Sequence, residues 1–152
     1  MRIIAIFILL LFTTSVWGQN LEKIRLLAKQ GDAEAQYQLG RMYHTGRFKL
    51  SAGTVQSVTR NSVEAIRWYR EAAEQGHDDA QFWLGVMYEY GNGVPRNYRR
   101  AHMWMNIGAS QGNKRAYEGR TSVAAKMNRA DINNAQQMAE RCVMSNYKEC
   151  DQ

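Results

Sequence analysis

Trp68-Tyr69-Arg70-Glu71-Ala72-Ala73-Glu74-Gln75-Gly76 leads through His77-Asp78-Asp79 into Ala80-Gln81-Phe82-Trp83-Leu84-Gly85-Val86-Met87-Tyr88 and closes on Gly91-Asn92-Gly93-Val94-Pro95. The stretch reads as a helix, a turn, a second helix and a second turn. Ala65, Trp68 and Ala72 fall at helical spacing on one face, and Gly76 ends that helix because glycine accepts positive φ. Ala80, Leu84 and Met87 make the equivalent stripe on the second helix. Gly85 sits in its middle, where glycine costs roughly 1 kcal/mol relative to alanine. A close crossing with another helix accounts for that choice.

Working outward, the chain repeats this pattern. Ala28 to Gly46 moved by 45 positions onto Ala73 to Gly91 matches at ten of nineteen residues, including Gln36/Gln81, Leu39/Leu84, Gly40/Gly85, Met42/Met87 and Tyr43/Tyr88. Asn61 to Gly76 moved by 36 onto Asn97 to Gly112 pairs Asn61/Asn97, Ala65/Ala101, Trp68/Trp104, Ala73/Ala109, Gln75/Gln111 and Gly76/Gly112. The unit is therefore 36 residues, and the first interval carries nine extra. Helices are predicted over Ala33 to Tyr43, Ser62 to Gln75, Asp79 to Tyr90 and Tyr98 to Gln111. One such unit cannot bury its apolar face alone, so neighbours stack into an all-α array, a short α-solenoid with a concave and a convex side. The predicted organisation is a partial repeat over 21–46, an inserted loop over 48–60, a full repeat over 61–96, a terminal repeat over 97–120, and a capping helix with a tail over 121–152. Arg120 stands where Leu84 stood one unit earlier, a polar switch suited to the end of an array.

The quoted motif resembles a complete Sel1-like repeat, a longer relative of the tetratricopeptide repeat. Partial copies extend the resemblance from about Leu21 to about Gly119, and Ser122 to Cys142, with a helix cap at Asn128, is similar to the polar helices that close such arrays. The insertion from Phe48 to Arg60 departs from the family pattern. The resemblance implies a protein-binding module, an adaptor or regulator in the bacterial envelope that docks a protein partner on its concave face. It also leaves two alternatives: an immunity protein neutralising a delivered effector such as a phospholipase, and an enzyme of the kind of cysteine-rich Sel1-like protein that binds or hydrolyses β-lactams. The last needs a sited nucleophile or base, and no residue can be assigned to that role.

The first eighteen residues read differently from the rest. Arg2 is their only charge, Ile3 to Phe12 is unbroken apolar sequence, and Thr13 to Gly18 is a more polar exit. These are the three regions of a secretory signal peptide, with cleavage expected between Gly18 and Gln19. Ten apolar residues fall far short of the roughly 20 that span a bilayer, so stable membrane insertion is not expected. The mature chain is then expected to be exported, to the periplasm first and to the medium second. At 45% apolar and 22% charged residues the full sequence has the composition of one folded domain. With Arg2 removed, 19 basic residues face 14 acidic ones. Only Arg96, Arg99 and Arg100 cluster, and no nucleic-acid-binding motif surrounds them.

Cys142 and Cys150 are the only cysteines, and in an oxidising compartment a disulfide is the default. On one continuous helix they would lie about 12 Å apart by rise alone, beyond the roughly 7 Å limit for bridged Cα atoms. The helix must end between them, and Ser145-Asn146 is the expected stop. Secreted cysteine-rich members of the family place structural bridges at the same separation. His44, His77 and His102 occupy three different repeat positions, so no metal site is expected, and no phosphate loop, nucleophile elbow or zincin motif occurs. No cofactor is expected, and the chain reads as a non-enzyme.

Trp68 and Trp104 recur at one repeat position, which marks them as core. Aromatic residues that do not recur point to function instead. Trp83 replaces Gln38, Tyr90 replaces Thr45, and Met103 and Met105 flank Trp104 where Arg67 and Tyr69 stood. Together with Phe48 and Arg60 at the ends of the insertion, these are the candidate partner-binding residues. Trp83, Tyr90, Met103 and Met105 have a second reading, that they face the closing helix. The insertion itself reads as a protruding loop, although the alternation Thr54-Val55-Gln56-Ser57-Val58 is also that of a short hairpin arm.

Overall fold

The computed structural model describes residues 20–49 and 55–150. The expected leader with its junction at Gly18 and Gln19, and the tip of the insertion, lie outside them. Helix α1 covers residues 20–29 of the described chain. It is followed by α2 (Ala33–Thr45), β1 (Arg47–Lys49), β2 (Val55–Ser57), α3 (Ser62–Ala73), α4 (Asp78–Tyr90), α5 (Tyr98–Ser110), α6 (Lys114–Ala124) and α7 (Arg129–Met144). The chain is a short α-solenoid: α2 packs on α3, α3 on α4, α4 on α5, and α5 on both α6 and α7. No helix among the described residues is long and apolar enough to cross a membrane.

Every helix from α2 onward starts on a side chain that accepts from its own first turn. Asp32, Asn61, His77, Asn97, Asn113 and Asn128 fill that role, each satisfying a backbone N–H that the helix cannot. Because His77 accepts through Nδ1, its Nε2 is left to donate, and it reaches Glu34 at 3.0 Å. Helices α2 and α4 both end on a left-handed glycine, Gly46 at φ 69° and Gly91 at φ 74°, whose N–H closes on the Met42 and Met87 carbonyls.

The mid-helix glycines mark close crossings. A Cβ on Gly40 would lie 2.5 Å from the Tyr69 ring, and one on Gly85 would lie 2.6 Å from Met105 Cγ. Beside each runs a buried polar ladder that repeats with the unit. Gln36 Nε2 donates to the Ala28 carbonyl and accepts at Oε1 from Gln75; Gln81 donates to the Ala73 carbonyl and accepts from Gln111. A buried amide with its partners in place fixes how adjacent helices register. The third unit carries Tyr117 at this position, 58% exposed, and the ladder ends there.

Two apolar clusters result. The main one runs from α3 to the C-terminal bridge around Tyr69, Leu84, Met87 and Trp104. The smaller one joins α1, α2 and the insertion around Ala28, Leu39, Met42, Phe48 and Trp68. The expected loop gives way to a hairpin: β1 and β2 pair antiparallel as Arg47↔Ser57, Phe48↔Gln56 and Lys49↔Val55. At the other end α7 stops at Met144, and Asn146 and Tyr147 take positive φ. This reversal brings Cys142 and Cys150 to a Cα separation of 4.4 Å, where they form the disulfide.

Candidate functional site

Helices α2, α4 and α6 are the successive second helices of the sequence repeat, and equivalent positions on them form one face. On α4 the outward stripe is Asp79, Trp83, Val86 and Tyr90. The same positions on α2 are Glu34, Gln38, Arg41 and Thr45; on α6 they are Arg115, Gly119 and Ser122, followed by Lys126 in the turn after it. Local sequence therefore sets three different chemistries on one scaffold.

The centre is aromatic. Trp83 is partly buried and lies nearly parallel to Tyr69, with ring centroids 6.4 Å apart and 11° between planes. His44 meets it edge-on at 5.1 Å, and Phe82 does so from the other side at 5.1 Å. Such tilted and offset pairs hold aromatic rings in fixed orientation. His44 Nδ1 lies 3.3 Å from the Tyr69 hydroxyl, and burial, followed by the charge of Arg60, lowers the pKa of His44. Tyr69 is wholly enclosed, and that burial raises its phenol pKa. The His44–Tyr69 pair is thus neutral, a support for Trp83 rather than a charged site.

The flank toward α6 is closed by ion pairs. Asp79 accepts from Asn113 Nδ2 at 2.7 Å and from Arg115, whose guanidinium also covers the Phe82 ring at 5.2 Å. Burial alone would raise the Asp79 carboxyl, but the bonds from Asn113 and Arg115 outweigh it and hold the pKa below its ordinary value. Lys126 is tied to the buried Glu89 at 2.7 Å.

The flank toward the insertion is open. A groove of about 750 Å³ lies between α2 and the hairpin. Phe48 and Met42, 8% and 1% exposed, line its base, Val55 stands at its edge at 59% exposure, and the exposed Arg41, Arg47 and Arg60 surround it. Among the described residues its one lining carboxylate, Glu34, already receives Gln38 and His77.

The sequence candidates divide accordingly. Trp83 and Tyr90 share the face of α4, with Tyr90 65% exposed and the Lys126 ammonium 5.9 Å from its ring centroid. Phe48 and Arg60 both border the groove, Phe48 through a side chain that is otherwise core. Met103 and Met105 are corrected: both are 0% exposed and cannot touch a partner from there. Met105 fills the space left by Gly85 of α4 and Gly119 of α6, and both methionines belong to the main core, so they are packing residues, Met105 against α4 and α6. Cys142 and Cys150 form the terminal bridge, remote from this face in sequence. Arg41 and Arg47 were missed because singly placed arginines on a basic chain carry no signal. The helical spacing of Glu34, Gln38, Arg41 and Thr45 could have exposed Arg41.

Among the described residues no group of three His, Cys, Asp or Glu side chains converges to hold a metal ion. The Sel1 repeat model matches residues 33–77 and 78–113, more than half of the chain. The chain belongs to the Sel1 repeat family. Each matched Sel1 repeat starts at a second helix of the sequence unit, α2 or α4, so its frame is offset by half a unit from the one used above. The chain is similar to the crystal structure of c5321, a protective antigen present in uropathogenic Escherichia coli strains that displays an SLR fold, at 28% identity and a TM-score of 0.74. That likeness covers 86% of this chain and 26% of the other. It is also similar to a Sel1 repeat protein from Oxalobacter formigenes, at 31% identity and a TM-score of 0.60, over 77% of this chain and 45% of that one. The chain thus spans well under two thirds of either structure. No curated protein matches it in sequence. Sel1 repeats are typically protein–protein interaction modules and non-catalytic scaffolds, and a bonded cysteine pair suits an oxidising, exported location.

Proposed function

We propose that this chain is an exported protein-binding module, an envelope adaptor or regulator in the periplasm, that docks a protein partner on the face of α2, α4 and α6, the concave side of the array. The observation that carries this reading is the stripe on α4: Trp83 is held by His44, Phe82 and Tyr69 and continues along the same helix face to the exposed Tyr90. Rigid aromatic side chains at the centre of a polar surface are the usual anchors of protein interfaces, since they bury large area at little entropic cost. Export is supported by the leader-like first eighteen residues and by the disulfide.

The test is affinity capture from envelope extract with the purified protein as bait, run beside Trp83→Ala and Tyr90→Glu. A partner held by the native chain and lost from both variants is expected. Tyr90 is exposed, so its substitution leaves the core alone. A partner retained equally by both variants, or no specific partner at all, overturns the assignment.

A further inference from the structure

We infer that the groove between α2 and the hairpin receives an acidic segment of the partner protein, its carboxylates on Arg41, Arg47 and Arg60 and an apolar side chain against Phe48 and Val55. This rests on the protein-binding reading above and names the chemistry of the segment bound beside Trp83.

The charges argue for it first. Arg25, Arg67, Arg99, Arg115 and Lys126 all have a carboxylate within ion-pair distance. Among the described residues Arg41, Arg47 and Arg60 have none; Arg96, Arg120, Arg129 and Arg141 have none either, but the first three border one concavity, with the Arg41 guanidinium 5.7 Å from the Tyr37 ring centroid. Glu34, the carboxylate at its edge, is taken by Gln38 Nε2 at 2.8 Å and His77 Nε2 at 3.0 Å. Guanidinium groups that line one groove carry like charge, and an anionic occupant offsets that charge while accepting paired N–H donors from a fork.

The apolar base narrows the occupant. Phe48 and Met42 face the groove and Val55 is 59% exposed at its edge, so a bare anion leaves this surface uncovered. A polypeptide with carboxylates beside an apolar residue meets both. From Glu34 to Thr45 the α2 wall is about 16 Å long at 1.5 Å per residue, room for an extended segment of about five residues. A bilayer is a poorer match, because the apolar residues lie within a concavity instead of projecting.

Finally, the insertion builds the site. It supplies Phe48 and Val55, which have no counterpart in the turn after α4, and it is flanked by Arg47 and closed by Arg60, whose equivalent in the second unit is Arg96. The hairpin is tied down at both roots: Val58 N–H donates to the Gly46 carbonyl at 2.9 Å, Asn61 N–H to the Tyr43 carbonyl at 2.9 Å, and Arg47 N–H to Thr45 Oγ1 at 3.2 Å. A wall of the groove is therefore preorganised, which lowers the ordering cost of binding.

The experiment selects a displayed library of random twelve-residue peptides on the purified protein, then measures the best synthetic peptide by fluorescence anisotropy. Enriched sequences should carry two or more Asp or Glu flanking Leu, Ile, Val or Phe. Affinity should fall about tenfold or more in the Arg41→Glu, Arg47→Glu, Arg60→Glu triple variant and weaken with added salt. Circular dichroism checks the fold of the triple variant, and the milder Arg→Gln triple replaces it if it melts. Enriched peptides without acidic residues, or acidic peptides bound equally by the variant, overturn the groove assignment. If such peptides instead depend on Tyr90, the protein-binding face stands while the groove proposal falls. No enrichment overturns the proposal, and the capture experiment then decides the broader reading separately. Tighter, arginine-dependent binding to phosphatidylglycerol vesicles than to any peptide overturns it in favour of a membrane surface.

Discussion

The pair α2 and α3 and the pair α4 and α5 are copies that have diverged where they face solvent and stayed alike where they face each other. In both, a glutamine bridges the preceding carbonyl and the following glutamine, a glycine admits a neighbouring helix, and the second-helix glycine cap leads to an asparagine whose N–H returns to a tyrosine carbonyl: Asn61 to Tyr43 and Asn97 to Tyr88, both at 2.9 Å. Between those shared anchors one copy inserts a hairpin and the other a short turn. On the outer stripe one carries Gln38, Arg41 and Thr45, and the other Trp83, Val86 and Tyr90. Insertions and surface chemistry can change freely here because the anchors carry the stacking.

That contrast can be broken most forcefully at the equivalent tryptophans. Trp104 is 0% exposed in the main core, whereas Trp68 is 7% exposed in the smaller cluster beneath Arg67. Trp104→Ala is expected to cost about 3–5 kcal/mol in urea unfolding and Trp68→Ala less; the reverse order would show that the first pair is the better packed. The terminal bridge comes next. Cys142→Ser with Cys150→Ser should lose about 2–3 kcal/mol by releasing a short loop, and intact-mass measurement of the native protein should show it two protons lighter than its reduced form.

Replacing Arg47 to Arg60 by the second turn, Asn92 to Arg96, makes the two copies alike. It should cost about 2 kcal/mol, the burial of Phe48, leave helical circular dichroism unchanged and abolish acidic-peptide binding. Smaller again is the polar ladder, where Gln36→Leu and Gln81→Leu each strand a glutamine partner and should cost about 1–2 kcal/mol. Equal losses would confirm that the ladder does the same work in both copies.

The smallest expected effect is on pH dependence. At the repeat position of His44 the second copy has Glu89, paired with Lys126. Burial, then Arg60, lowers the pKa of His44; burial, then Arg120, lowers that of His102. The unfolded chain binds protons more readily at these sites, so stability is full above the ordinary histidine value of 6.5. It declines as the pH falls below that value through the folded pKa values. His44→Gln and His102→Gln should each flatten the slope of melting temperature between pH 7 and pH 5, and an unchanged slope in both would remove the histidines as its cause.

Much of this architecture is legible in the chain because repetition samples one physical constraint several times. A glycine, tryptophan or glutamine that returns at the same offset must answer to a neighbour that also returns. The candidate face is less legible. Trp83 and Tyr90 stood out by failing to recur, and the same reasoning misplaced Met103 and Met105, because a non-recurring residue can equally fill a gap that the next helix leaves. Arg47 gave no sign and Arg41 only its place on the α2 stripe, since a guanidinium without a carboxylate differs from an ion-paired one only in what surrounds it.

By itself, the sequence determined the repeat, the helix pairs, their glycine crossings and the break required between Cys142 and Cys150, all of which follow from local periodicity and chain geometry. Only the tertiary structure decided that the insertion is a hairpin seated on α2 through Phe48, that Met105 lies beneath Gly85 and Gly119, and that Arg41, Arg47 and Arg60 border one groove. Those outcomes depend on which side chains meet across helices, and neither spacing nor composition records that.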